Sequence, residues 1–102
     1  MFSNFTSLTT LILDSNRIKS IEAGALPSSI NLLDLDRNAL KRLERGMIPA
    51  NVKNLMISNN NISEIENGSL PTSLRILDLC SNRLSSLLYG VFPVGITELK
   101  VP

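Results

Sequence analysis

The residue types that most often carry chemistry are thinly represented in this chain. Its 102 residues include no histidine and a single cysteine, Cys80. Without imidazole there is no Ser-His-Asp or Cys-His nucleophile and no HExxH zinc site. One thiol can neither close an internal disulfide nor build a cysteine zinc cluster. What remains is a set of aspartates: Asp14, Asp34, Asp36 and Asp78. Paired carboxylates do acid–base work when one is forced to keep its proton, which takes a closed or apolar setting. On an open, water-filled surface nothing forces this. A reactive thiol wants a cationic neighbourhood, and Asp36 and Asp78 work against one at Cys80. The chemistry on offer is therefore charge, the attraction of a cation or a basic surface. No catalytic, cofactor-binding or metal-ligating residue is assigned.

The elements that position these aspartates come from an internal repeat. Leu8-x-x-Leu11-x-Leu13-x-x-Asn16-x-Ile18 recurs from Ile30, Val52 and Leu74, and a truncated copy starts at Ile96, so the period is 22 without insertion or deletion. Each unit continues with an aliphatic residue (Ile21, Leu43, Ile65, Leu87), a glycine (Gly24, Gly46, Gly68, Gly90) and a closing proline (Pro27, Pro49, Pro71, Pro93). Alternation around Leu11-Ile12-Leu13 gives a strand with Leu11 and Leu13 inward. Strands from successive units run the same way and pair in parallel. The glycine and proline argue for an irregular return arc rather than a helix. No unit can bury its aliphatic face alone, so the units stack into a solenoid, strands on the concave side and arcs on the convex.

This motif resembles the leucine-rich repeat family over residues 8–101, and Phe2-x-x-Phe5-x-x-Leu8-x-x-Leu11 is similar to a junction common in its animal extracellular members. The resemblance implies an α/β-type solenoid: a right-handed superhelix with a parallel concave sheet and mostly irregular convex arcs. It also implies versatile protein binding, as a receptor ectodomain or as a scaffold beside other domains. The whole chain, 1–102, reads as one domain, with a partial unit at 1–7. The half-unit at one end, the strand cut at Lys100-Val101-Pro102 and the lack of caps point to an excerpt of a longer array, whose open ends would self-associate.

Asn16, Asn38, Asn60 and Asn82 fall where the chain leaves each strand, where backbone groups need a buried amide; they read as a structural ladder. Function falls to outward strand positions. These are Thr10, Leu32, Asn54, Ile76 and Glu98 in one column, Ile12, Asp34, Met56, Asp78 and Lys100 in the next, and Asp14, Asp36, Ser58 and Cys80 in the third. Ile12 lies diagonal to Leu32, and Met56 to Ile76, giving two apolar clusters. Asp14, Asp34, Asp36 and Asp78 form an acidic stripe beside them, bordered by Arg17, Arg37 and Arg83.

Ten Lys+Arg against nine Asp+Glu give a net charge of +1, which supplies no electrostatic footprint for nucleic acid. No run approaches the roughly 20 apolar residues of a membrane helix, and the start has no signal-peptide pattern. Three sequons, at Asn4, Asn61 and Asn67, incline the chain toward secretion without fixing its compartment. The expectation is a non-catalytic module that binds a protein or other macromolecule across its concave face, the acidic stripe suiting a basic partner. The alternative is a structural or regulatory scaffold within a larger intracellular signalling protein.

Overall fold

Aliphatic residues spaced 22 apart are buried here by stacking one unit on the next. In the computed structural model, which describes residues 8–84 and 91–101, seven short strands form. In chain order they are β1 (Thr10–Ile12), β2 (Leu32–Asp34), β3 (Arg42–Leu43), β4 (Asn54–Met56), β5 (Glu64–Ile65), β6 (Ile76–Asp78) and β7 (Glu98–Lys100). Strands β1, β2, β4, β6 and β7 make one parallel sheet in that order, and β3 pairs with β5 in a second. Every pairing joins residues 22 apart, so Leu11, Leu33, Leu55, Leu77 and Leu99 stand in one row. Leu33, Leu55 and Leu77 are fully buried, whereas Leu11 and Leu99, on the two outer strands, are covered from one side and stay partly open.

The core is aliphatic and continuous through the units. Ile30, Leu33, Leu35, Leu40 and Leu43 of one unit are followed by Val52, Leu55, Ile57, Ile62 and Ile65 of the next, all buried. Each closing proline does the same job: the carbonyls of Pro27, Pro49, Pro71 and Pro93 accept from the N–H groups of Ile30, Val52, Leu74 and Ile96. That turn delivers the chain into its next strand.

Past each strand the asparagines form the expected ladder. The amide of Asn60 donates to the carbonyls of Leu35, Ile57 and Ser58 at 3.0–3.2 Å, while its oxygen accepts from the Leu40 N–H at 3.1 Å. Asn38 and Asn82 repeat this one unit earlier and later. Asn16 departs from the pattern. It is exposed, and its described bonds are to Leu13 and Asp14 of its own unit. A rung needs a carbonyl from the unit before it, and none is described there. The residue preceding each rung, Ser15, Arg37, Asn59 or Ser81, is left-handed with φ of 55–59°. This places its N–H on the adjacent unit, as in Arg37 to the Ser58 carbonyl at 3.0 Å.

The arcs correct one expectation and extend another. No helix occurs among the described residues, so the α part of an α/β-type solenoid has no counterpart there and the fold is a β-solenoid. The arcs are also less irregular than the sequence implied. β3 and β5 pair Arg42 with Glu64 and Leu43 with Ile65, with both aliphatic residues buried and both charges exposed. Gly24, Gly46 and Gly68 have positive φ. Gly46 has a second constraint, because a Cβ there would lie 2.8 Å from the Ala23 Cβ. Phe2, Asn4, Phe5, Leu87, Gly90 and the partial unit at 1–7 lie outside the described residues.

Candidate functional site

Parallel pairing without slippage fixes the outward face of the five-stranded sheet. Thr10, Leu32, Asn54, Ile76 and Glu98 are aligned across the strands, and Ile12, Asp34, Met56, Asp78 and Lys100 form the row beside them. Apolar and polar residues alternate along the first four strands of each row, and the two rows are out of phase. The face is thus a checkerboard that repeats every two units. Its consequence corrects the sequence reading: Leu32 is diagonal to Met56 as well as to Ile12. Ile12, Leu32, Met56 and Ile76 therefore make one zigzag over four strands rather than two clusters. Ile12, on the outer strand, is 60% exposed, and the other three are half-buried between their neighbours.

The same alternation separates the acids. Asp34 and Asp78 have Met56 between them in the row, which limits the repulsion that adjacent like charges would cause. Their carboxylates are not idle. Asp34 Oδ1 accepts from the Asp36 N–H and Asp78 Oδ1 from the Cys80 N–H, each at 3.0 Å. Each aspartate thereby closes the turn that follows its own strand. Asp36 reaches across instead, its Oδ1 accepting from both the N–H and the hydroxyl of Ser58 at 2.8 Å. Ser58 is buried, so this third column belongs partly to the solenoid wall and not wholly to the outer face. Asp14 is half-buried and takes a long bond, 3.4 Å, from the Ser15 hydroxyl.

Burial raises the Asp34 carboxyl above the usual carboxylate value; the Asp36 N–H bond opposes this, and the charges of Asp36 and Asp14 add to it. The Cys80 thiol is also raised, first by its hydrogen bond to Asp78, then by burial and by the Asp78 charge, with Lys100 pulling the other way. A thiol held protonated in this way is a poor nucleophile. Among the described residues no group of three or more acids, histidines or cysteines is arranged to hold a metal ion. No helix of the described residues is long and apolar enough to cross a membrane. The sequon residues Asn61 and Asn67 are exposed, and Asn4 lies outside the described residues.

Comparison with known families agrees with this geometry. A leucine-rich repeat model matches residues 6–48 and a second one residues 73–94. The chain is a leucine-rich repeat protein. A further family, described as the FNIP repeat, matches residues 40–81 of the same solenoid. Comparison with curated proteins gives no match. Among solved structures, the leucine-rich repeat chain is similar to one from a crystal structure of a TLR13–ssRNA13 complex. The two are 29% identical with a TM-score of 0.87, over 98% of this chain and 15% of that one. That neighbour was crystallised as a complex with ssRNA, and this chain spans about a seventh of its length.

Proposed function

We propose that this leucine-rich repeat chain is a non-catalytic recognition module. Its five-stranded face binds a protein partner that presents an apolar knob bordered by Lys or Arg, in the manner of a receptor ectodomain. The observation that carries the reading is the single zigzag of Ile12, Leu32, Met56 and Ile76, set among Asp34, Asp78 and the neighbouring Asp14 and Asp36. Large apolar side chains on a water-facing sheet gain from being covered. Carboxylates around them favour basic partners and speed encounter at low salt. Met56 and Ile76 are the central anchor. Five strands at about 4.8 Å span roughly 20 Å, so the partner's footprint continues onto the rims of the sheet.

The test is selection from an unbiased surface-displayed library of short folded peptides against the full chain. Binders to this face carry apolar residues flanked by Lys or Arg. Met56→Ala hastens their dissociation, and Asp34→Lys slows their association. The assignment fails if no selected binder responds to Met56 or Ile76 and all respond to Glu22, Glu44 or Glu66 on the convex side.

A further inference from the structure

The chain's ten basic side chains do not share one fate. On the arc Arg42 lies 3.5 Å from Glu64, and Arg45 lies 3.9 Å from Glu66. The other eight, Arg17, Lys19, Arg37, Lys41, Lys53, Arg75, Arg83 and Lys100, are exposed with no carboxylate within ion-pair distance among the described residues. Of these, Arg17, Lys19, Arg37, Lys41 and Arg83 are set apart by where they lie. They lie in the stretches by which each unit leaves the sheet face, 15–19, 37–41, 59–63 and 81–84. Those stretches contain no acidic residue.

Backbone bonds hold these stretches in register: Ala39 N–H to the Ile18 carbonyl, Asn61 to Leu40 and Arg83 to Ile62, at 2.8–2.9 Å. The five cations are thereby gathered on one flank. Lys19 and Lys41 occupy the same position in adjacent units, about 4.8 Å apart along the stack. Arg37 keeps its place at φ 56°, a conformation that disfavours a long side chain. Between units the flank opens into a hollow of about 300 Å³ lined by Lys41, Asn61, Ser63 and Arg83. Five cations in stretches that carry no acid of their own favour an anionic partner laid along them.

We propose that this flank is a second docking surface, a track for an acidic polypeptide segment running along the stacking axis. Its direction follows from its borders. Asp14 and Asp36 edge the flank on the sheet side, and Glu22, Glu44 and Glu64 edge it on the arc side, so an acidic chain is repelled from both and held between them. The guanidinium forks of Arg17, Arg37 and Arg83 match carboxylates, and the exposed Asn61 and Ser63 side chains offer hydrogen bonds to backbone groups. A nucleic acid strand fits less well, because it gains affinity by stacking bases on aromatic rings and these four stretches have none. The flank lies beside the sheet face, beyond Asp14 and Asp36, and selects a partner of the opposite charge.

Fluorescence anisotropy with the full chain tests this, using a labelled Glu/Asp-rich peptide of about eight residues, a Lys-rich control and oligo-uridine. The acidic peptide binds, and the affinity falls steeply with added salt. Arg83→Ala and Lys41→Ala each weaken it about three- to tenfold. Lys53→Ala, a cation outside the flank, leaves it unchanged, and circular dichroism reports that each variant is folded. The proposal is overturned by absence of binding at low salt, by an equal loss in Lys53→Ala, or by oligo-uridine binding more tightly than the acidic peptide.

Discussion

The two sides of each short strand follow opposite rules. Inward, Leu33, Leu55 and Leu77 occupy one position in three successive units, all fully buried. Outward, the aligned residues are Leu32, Asn54 and Ile76 in one row, and Asp34, Met56 and Asp78 in the other. Repetition in every unit is thus confined to the side where each unit must fit its neighbour, whereas the outward side alternates from unit to unit. The outward side is free to vary because a change there disturbs no stacking contact, and variation is what a recognition surface needs. The ladder asparagines belong with the inward set although they are polar, since their partners are backbone groups of two units. The aspartates belong to both sets, facing water while closing turns.

The most severe way to probe this division is on the inward side. Leu55→Ala removes a fully buried side chain between two like neighbours, and the expected cost is about 2–5 kcal/mol, read as a fall in the urea midpoint. A loss under about 1 kcal/mol would mean that the units are not tightly stacked at their centre. A gentler probe concerns the dual role of the aspartates. Cys80 should alkylate more slowly than a free thiol at mildly alkaline pH, because Asp78 accepts its hydrogen bond and disfavours the thiolate. Asp78→Asn removes that charge, lowers the thiol pKa and speeds labelling several-fold. An unchanged rate would place the Asp78 carboxylate away from the thiol, wholly on the outward side of the division.

Much of this division was legible in the chain before folding. A constant period of 22 with a short alternating stretch in each unit calls for parallel strands in register. Position after the strand named Asn16, Asn38, Asn60 and Asn82 as rungs, of which the last three bridge two units and Asn16 bonds within its own. Other features left no usable signal. The left-handed residues before the rungs are Ser15, Arg37, Asn59 and Ser81, with no glycine among them to mark the conformation. The β3–β5 pair is two residues long, too short for alternation to register, although the opposite charges of Arg42 and Glu64 in one column hinted at it. Asp36 looked outward by position alone; its bond to Ser58 depends on a buried hydroxyl one unit away, which spacing does not reveal. The zigzag was readable in principle. It needed the diagonal from Leu32 to Met56, which appears only when three strands are aligned together.

Two asparagines six residues apart test the division most directly. Asn60 is 5% exposed and bonded to two units, whereas Asn54 is half-buried on the outward face of β4. Urea denaturation of Asn60→Ala and Asn54→Ala compares them under identical conditions. Asn60→Ala should cost about 1–3 kcal/mol, because four backbone partners lose their bonds inside the solenoid. Asn54→Ala should cost less than about 0.5 kcal/mol, as changes away from buried networks do. Coincident midpoints for the two variants would contradict the register, and with it the separation of stacking from recognition.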